Sequence, residues 1–397
     1  MSLLWGIDLT TTIVFFSIGI LIPFLRDDLG ITPLEAGLLG SAGFLGFGVM
    51  AIPASIWLTR YSPRLTTLIL TLGMGALCFA QALAPTGPLL LLFRFLFVLL
   101  AVSRIQVQVI LLQQWFQPRL YAAANGIESG ARSAGQLLAS AATPVLIALL
   151  GSWRGFYLVT ALAMTALGAL WLLLGREGHV ARSQAERSGP VGSPAGVLGR
   201  HKSLWVLALC QVGAATAFAA FLTFYPTYAL DHLGISLTAV GLLVSVFAVG
   251  GLAGGLVVGP LSQWMGRRKP FVWVPGLVLP VIYIALVWVD SVPLSAALMF
   301  AAGLGAMGVA PVIFTIPLDM GLRPREVGVA QALIRTLFPF GATMGPILVA
   351  VIGASTGSLA LGLTIVAPLA LSLFIGGILL PETGARGQQR EPVAEGP

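Results

Sequence analysis

Long apolar runs separated by short polar turns govern this chain. Read against turn residues, the runs place spans at 5–25, 36–58, 66–84, 88–112, 121–150 and 154–175, and six more at 204–230, 237–261, 271–289, 294–318, 327–352 and 357–380. About 20 apolar residues suffice to cross a bilayer, so each run is long enough. Between the two sets, 176–203 is rich in Gly, Ser and Arg and has no helical apolar period, which marks a polar linker. The pattern predicts an all-α polytopic membrane protein of twelve transmembrane helices: a six-helix bundle over 1–175, a linker over 176–203, a second bundle over 204–380 and a tail over 381–397. No basic residue precedes the first run and no small-residue cleavage pattern follows it, so it reads as a retained span.

An internal repeat supports the division. Asp27-Asp28-Leu29-Gly30-Ile31-Thr32, with Gly37-Leu38-Leu39 after it, recurs as Asp231-His232-Leu233-Gly234-Ile235-Ser236 with Gly241-Leu242-Leu243. Both copies fall in the turn between the first and second spans of their half. Two parallel six-helix repeats imply a pseudo-two-fold arrangement with a site at the midplane.

Composition sharpens the class. Hydrophobic residues make up 57% and charged residues 9%, which leaves little chain for a soluble domain. The net charge of +7 raises the question of a nucleic-acid partner, but placement of the charges removes it. Fifteen of the 21 Lys and Arg lie in turns on the linker's side, and only Arg26 and Arg154 lie in the opposite turns. The bias predicts an inner-membrane protein with linker and both termini cytoplasmic. Cys78 and Cys210 sit mid-run and read as small core residues, and no Cys/His cluster suggests a metal. No cofactor is expected.

The remaining Lys and Arg lie inside spans: Arg94 and Arg104 in span 4, Arg132 in span 5 and Arg335 in span 11, joined by the acids Asp8 in span 1 and Glu128 in span 5. A charge at the bilayer centre costs at least about 2.5 kcal/mol, so each is read as a pathway residue or a buried partner.

Several segments resemble the major facilitator superfamily. Gly259-Pro260-Leu261-Ser262-Gln263-Trp264-Met265-Gly266-Arg267-Arg268-Lys269 is similar to its cytoplasmic signature, with Gln263 where an acid is usual. Trp57 to Arg64 is the eroded counterpart in the first half. Arg94-Phe95-Leu96, then Trp115-Phe116-Gln117-Pro118-Arg119 and Ala124-Asn125-Gly126-Ile127, look like the fourth and fifth helices of organic-anion members, with Ala101 where those symporters often carry an acid. The resemblance implies that spans 1, 4, 7 and 10 line a cavity, that 2, 5, 8 and 11 flank it, and that 3, 6, 9 and 12 are peripheral. It also implies gating roles for Gly259, Gly266, Arg267, Arg268 and Arg64.

By helical rise, about 1.5 Å per residue, Arg104 and Glu128 reach one depth on adjacent spans, and Glu128 also stands four residues before Arg132. Glu128 therefore reads either as part of a structural ion cluster or as a proton-coupling acid. Asp8, placed near the inner end of span 1, reads as a protonation site or as an interfacial cap residue. Ionised together, the six charges leave +2 inside the membrane, which a bound anion would balance. Arg132 and Arg335 lie at comparable depth on counterpart spans, and guanidinium forks suit a carboxylate, so the two are expected to clamp the substrate across the pseudo-two-fold, with Arg104 nearby. Arg94 is a packing residue or a ligand contact. Tyr225, grouped with Phe221 and Tyr228, belongs to an aromatic belt or gates the site and donates its hydroxyl to substrate.

Gly353-Ala354-Ser355-Thr356-Gly357 matches a serine-hydrolase elbow but lies between two apolar runs, and no phosphate-binding loop occurs. An enzyme and an ATP-driven pump are therefore set aside. The expectation is an alternating-access secondary transporter, sufficient as a monomer, that moves a small organic anion with protons or against a counter-substrate. Proton-coupled export of drugs or amphiphiles is the alternative.

Overall fold

The structure is a computed structural model that describes residues 2–58, 61–115, 121–176, 199–320, 322 and 324–384, with the side chains of 52, 55, 56, 109, 112, 113, 121–132, 324 and 325 excepted. The described residues are helical, without strands. The helices are α1 (Ser2–Phe16), α2 (Ile18–Leu29), α3 (Pro33–Trp57), α4 (Pro63–Ala82), α5 (Gly87–Trp115), α6 (Tyr121–Leu150) and α7 (Trp153–Leu174). They continue as α8 (Lys202–Leu233), α9 (Leu237–Met265), α10 (Pro270–Trp288), α11 (Val292–Asp319), α12 (Pro324–Thr356), α13 (Leu359–Val366) and α14 (Leu371–Leu379). Eleven spans among the described residues are long and apolar enough to cross a membrane, and α1 with α2 makes a twelfth as one bent span.

Turn chemistry explains the boundaries. Gly30 closes α2 at φ 61°, and Thr32 and Glu35 form a reciprocal capping box that opens α3 at Pro33. The repeated motif does the same work in the second half: Gly234 has φ 59°, and the Ser236 hydroxyl accepts from Ala239 N. A second correspondence is plain only in the structure. Gly151 at φ 67° precedes Ser152, which caps α7, and Gly357 at φ 68° precedes Ser358, which caps α13. Of the segment 353–357, which mimics a hydrolase elbow, 353–356 are the last turn of α12 and Gly357 opens this turn.

The first span departs from the predicted continuous helix. It bends by 50° between α1 and α2. No proline or glycine stands at the break. Instead the Thr10, Thr11 and Thr12 hydroxyls donate back to the carbonyls of Gly6, Ile7 and Asp8, and the Ser17 hydroxyl donates to Val14 O at 3.1 Å. Back-bonding of this kind bends helices. The last span is interrupted differently, by a 3₁₀ turn over Ala367–Ala370 that contains Pro368.

The chain divides into two compact units, Met1–Gly189 with Leu222–Ser245, and Pro190–Phe221 with Val246–Pro397. In the first, α4 packs on α5 and α7, α3 on α5, and α1 on α6. In the second, α10 packs on α11 and α14, and α12 on α13. Helices α8 and α9 each contribute one end to the first unit and the other to the second. Large apolar side chains stay exposed along α7, among them Leu158, Leu162, Leu170 and Leu173. Such a face is a liability in water and ordinary against lipid.

Candidate functional site

Three polar side chains close a ring inside the first unit. Asp8 of α1 is 2% exposed, and Arg104 and Gln108 of α5 are as deeply buried. Arg104 Nη2 donates to Asp8 Oδ1, Arg104 Nη1 to Gln108 Oε1 at 2.5 Å, and Gln108 Nε2 to Asp8 Oδ2 at 2.6 Å. The spacing i, i+4 puts Arg104 and Gln108 on one face of α5, and Asp8 supplies the acid. Arg104 Nε has no hydrogen-bond partner among the described residues.

The acid seen beside Arg104 is Asp8; the sequence expectation matched Arg104 with Glu128 by depth, a match that lies outside the described side chains. Helical rise gives depth alone, and a helix has several neighbours at each depth. Asp8 is no interfacial cap residue either, since it is sealed in the core. Glu128 and Arg132 lie outside the described side chains. Gln108, overlooked in the sequence, carried the signal of a polar residue one turn from a buried arginine.

Arg94 is equally buried and donates mainly to backbone, beside the Tyr157 side chain. Its Nε donates to Leu39 O at 2.8 Å, Nη1 to Val14 O at 3.4 Å and Nη2 to Phe15 O at 3.0 Å. Val14 and Phe15 close α1, where carbonyls lack intrahelical partners and the helix dipole favours a cation. Of the two readings of Arg94, the geometry matches packing: it braces the bend in the first span.

One end of α8 and the start of α9 complete the first unit through close backbone approach. A Cβ on Gly19 would stand 2.6 Å from Leu222 O, one on Gly40 would strike the Thr223 side chain, and one on Gly241 would strike Pro144. Arg26 and Asp231 join above this seam, Nη1 to Oδ2 at 3.5 Å. Tyr225 is fully buried here, with its ring 6.2 Å from that of Tyr228, which in turn stacks on His232 at 5.0 Å.

In the second unit, Arg335 lies mid-helix on α12 and is exposed, with its guanidinium carbon 4.9 Å from the centroid of the Phe314 ring on α11. Its expected partner in the clamp, Arg132, is one of the undescribed side chains.

The signature segment is a turn held by charge. Gly266 takes φ 64°, and Ser262 Oγ donates to Gly259 O at 2.9 Å. Arg268 Nε donates to Asp319 Oδ2 at 2.7 Å and its Nη1 to Ser262 Oγ at 2.6 Å, while Arg267 stays exposed. Asp319, at the end of α11, thus supplies a carboxylate beside the signature, where Gln263 carries none. Glu382 was not anticipated at all. Its Oε1 accepts from Arg268 N at 2.6 Å and from Gly384 N at 3.0 Å, and its Oε2 from Lys269 N at 3.3 Å, so a carboxylate sits at the N-terminus of α10. In the first half, Arg64 Nη2 donates to Leu172 O near the end of α7 at 3.0 Å, and Trp171 Nε1 donates to Arg64 O at 3.0 Å.

The sequence profile described as Major Facilitator Superfamily matches residues 4–319 and 207–397. The hexuronate transporter of Bacillus subtilis strain 168 is 20% identical over 395 residues, covering 94% of this chain and 93% of its own length. The probable L-galactonate transporter of Escherichia coli K12 is 24% identical over 262 residues, 61% of this chain and 56% of that protein. The probable galactarate/D-glucarate transporter GudP of the same organism is 28% identical over 159 residues, 37% of this chain and 33% of that protein. The chain thus spans about half and a third of the last two relatives. Among solved structures, a bacterial homologue of the human lysosomal transporter Spinster, inward-facing and unoccupied, superposes with a TM-score of 0.77 at 16% identity, over 96% of this chain and 94% of that one. The nucleoside transporter NupG gives 0.75 at 14% identity, over 96% and 99%. At these identities the structural likeness speaks for the fold.

Proposed function

Because the chain belongs to the Major Facilitator Superfamily, we propose that it is an alternating-access secondary transporter whose cargo is a small carboxylate of the sugar-acid type. The observation that carries the anionic cargo is Arg335, an exposed cation about 16 Å along α12 from its first residue, resting on an aromatic face. Intramembrane charges face a bundle interior or a water-filled path, or pair with other groups, and an exposed guanidinium at this depth suits a path that an anion can enter. The hexuronate, galactonate and glucarate specificities in the relatives' names agree with a carboxylate ligand.

Uptake of a monoanion against an inside-negative potential costs about 2.3 kcal/mol per 100 mV, so a co-transported proton or a counter-substrate is needed. Asp8 is the acid we assign to that task. Protonation of Asp8 takes away the partner of Arg104 and leaves a buried cation that favours entry of an anion. Glu128 is the second candidate. The proposed setting is an inner membrane with both termini and the 176–203 linker cytoplasmic, supported by fifteen of 21 basic residues falling on that side, and a monomer of two six-span halves.

The test is flux in proteoliposomes under imposed pH and voltage gradients, with labelled glucuronate and galactonate against cationic drugs. Saturable carboxylate uptake that is lost in Arg335→Gln is the expected result. Proton-driven drug flux indifferent to Arg335 would instead establish the exporter.

A further inference from the structure

A cavity of about 100 Å³ lies within the second unit, between α8, α10, α11, α12 and α14. Its origin is a set of small residues facing one another. Ala214 and Ala215 of α8 and Ala306 and Ala310 of α11 stand where longer side chains would fill the space. Among the described residues no charged side chain lines it, so it is unsuited to a sugar acid and separate from Arg335.

Two polar residues reach its wall. The Gln211 amide Nε2 donates to Leu207 O at 3.4 Å. Tyr283 is 1% exposed, and its hydroxyl has no hydrogen-bond partner among the described residues. The Tyr283 ring stacks on Phe221 with centroids 4.4 Å apart, which fixes the phenol in place. A buried hydroxyl without a partner is costly, and buried polar groups in folded proteins are nearly always paired. An apolar void of about 150 Å³ in another protein admits benzene, and this one, smaller at about 100 Å³, sets a single ring as the upper limit for its occupant.

We propose that this cavity is a binding site for a small, mainly apolar molecule, a single ring or short branched chain, carrying one hydroxyl or carbonyl that pairs with the Tyr283 hydroxyl. The apolar body fills the space left by the four alanines, and the polar end satisfies the phenol.

Phenol serves as the probe and benzene as its apolar counterpart, titrated against the full-length protein in detergent and read by saturation-transfer NMR. Saturable one-site binding of both is expected. Tyr283→Phe should weaken phenol about fivefold, the worth of one net hydrogen bond, and leave benzene unchanged. Ala306→Leu should abolish binding of both while helicity and melting are retained, and Ala215→Leu replaces it if that variant folds poorly. Equal phenol binding by wild type and Tyr283→Phe, or non-saturable uptake shared by all variants, overturns the proposal.

Discussion

Arg94 Nη2 stands 3.0 Å from Phe15 O, so a buried cation terminates the first half of a broken membrane span. The break at Ser17 leaves the closing carbonyls of α1 without backbone N–H partners, and the guanidinium collects two of them, Val14 O and Phe15 O, together with Leu39 O. Three divergent donors are needed, which a planar guanidinium provides and an ammonium does not. Arg94→Lys should therefore lower stability by about 2 kcal/mol, and Arg94→Gln by about 3 kcal/mol or more. Thermal unfolding in detergent checks the order. In whatever protein folds, substrate KM should hold while the maximal rate falls, since Arg94 is sealed in the core, where it binds backbone carbonyls beside the Tyr157 side chain.

The Asp8–Arg104 pair predicts a different signature. Removing one member strands a buried charge, at a cost of about 3–5 kcal/mol, whereas removing both is far milder. Asp8→Asn should be poorly stable, and Asp8→Asn with Arg104→Gln should regain much of the lost stability. A double-mutant cycle measures the coupling. If Asp8 carries the proton, the double variant still exchanges substrate across the membrane, with weaker affinity for want of the Arg104 cation, but no longer accumulates it under a pH gradient. Accumulation equal to wild type would transfer the task to Glu128.

Part of this was legible in the chain. The spans follow from runs of apolar residues, and the repeat around Gly30 and Gly234 was visible because glycine and a hydroxyl cap are fixed by local backbone geometry. The Gly151-Ser152 and Gly357-Ser358 correspondence used the same chemistry but was masked by the hydrolase-like spacing. What escaped was lateral. Sequence gives the depth of Arg104 but not which helix lies beside α5, so Asp8 and Gln108 were not joined to it. Glu382 escaped because it follows the last apolar run, where a polar residue looks like solvent-exposed tail, and only the fold brings it to the start of α10. The bend at Ser17 was hidden because threonine and serine read as mildly polar interruptions.

The glycine seam predicts a rescue. Gly40 has no room for a Cβ beside Thr223, so Gly40→Ala should force α3 and α8 apart at this level. Thr227, which is buried nearby on α8, reports the separation when changed to Cys, since both natural cysteines are themselves buried. Labelling of Thr227→Cys by a membrane-impermeant thiol reagent should rise several-fold in the Gly40→Ala background. Trimming the obstruction with Thr223→Ala should return it toward the starting value. Unchanged labelling in all three would mean that the helices repack without opening.

Glu382 and Asp319 divide the work that a single signature acid usually concentrates. Asp319 holds the Arg268 side chain and Glu382 its backbone nitrogen, so the two acids restrain the same residue by different bonds. Glu382→Gln keeps one acceptor but loses the charge at the α10 N-terminus, a loss of about 0.3–1 kcal/mol at a partly exposed site. Asp319→Asn removes a charge-assisted bond to a half-buried arginine, which is worth about 1.5–3 kcal/mol. Of the two, Asp319→Asn should therefore disturb the turn more, read as faster hydrogen exchange at Gly266 to Lys269. The turn links α9 to α10 and meets the end of α11, so its loosening should alter the rate of the conformational cycle and leave substrate affinity in place. A change confined to affinity would place Asp319 on the substrate path, and would remove the structural reading of this turn.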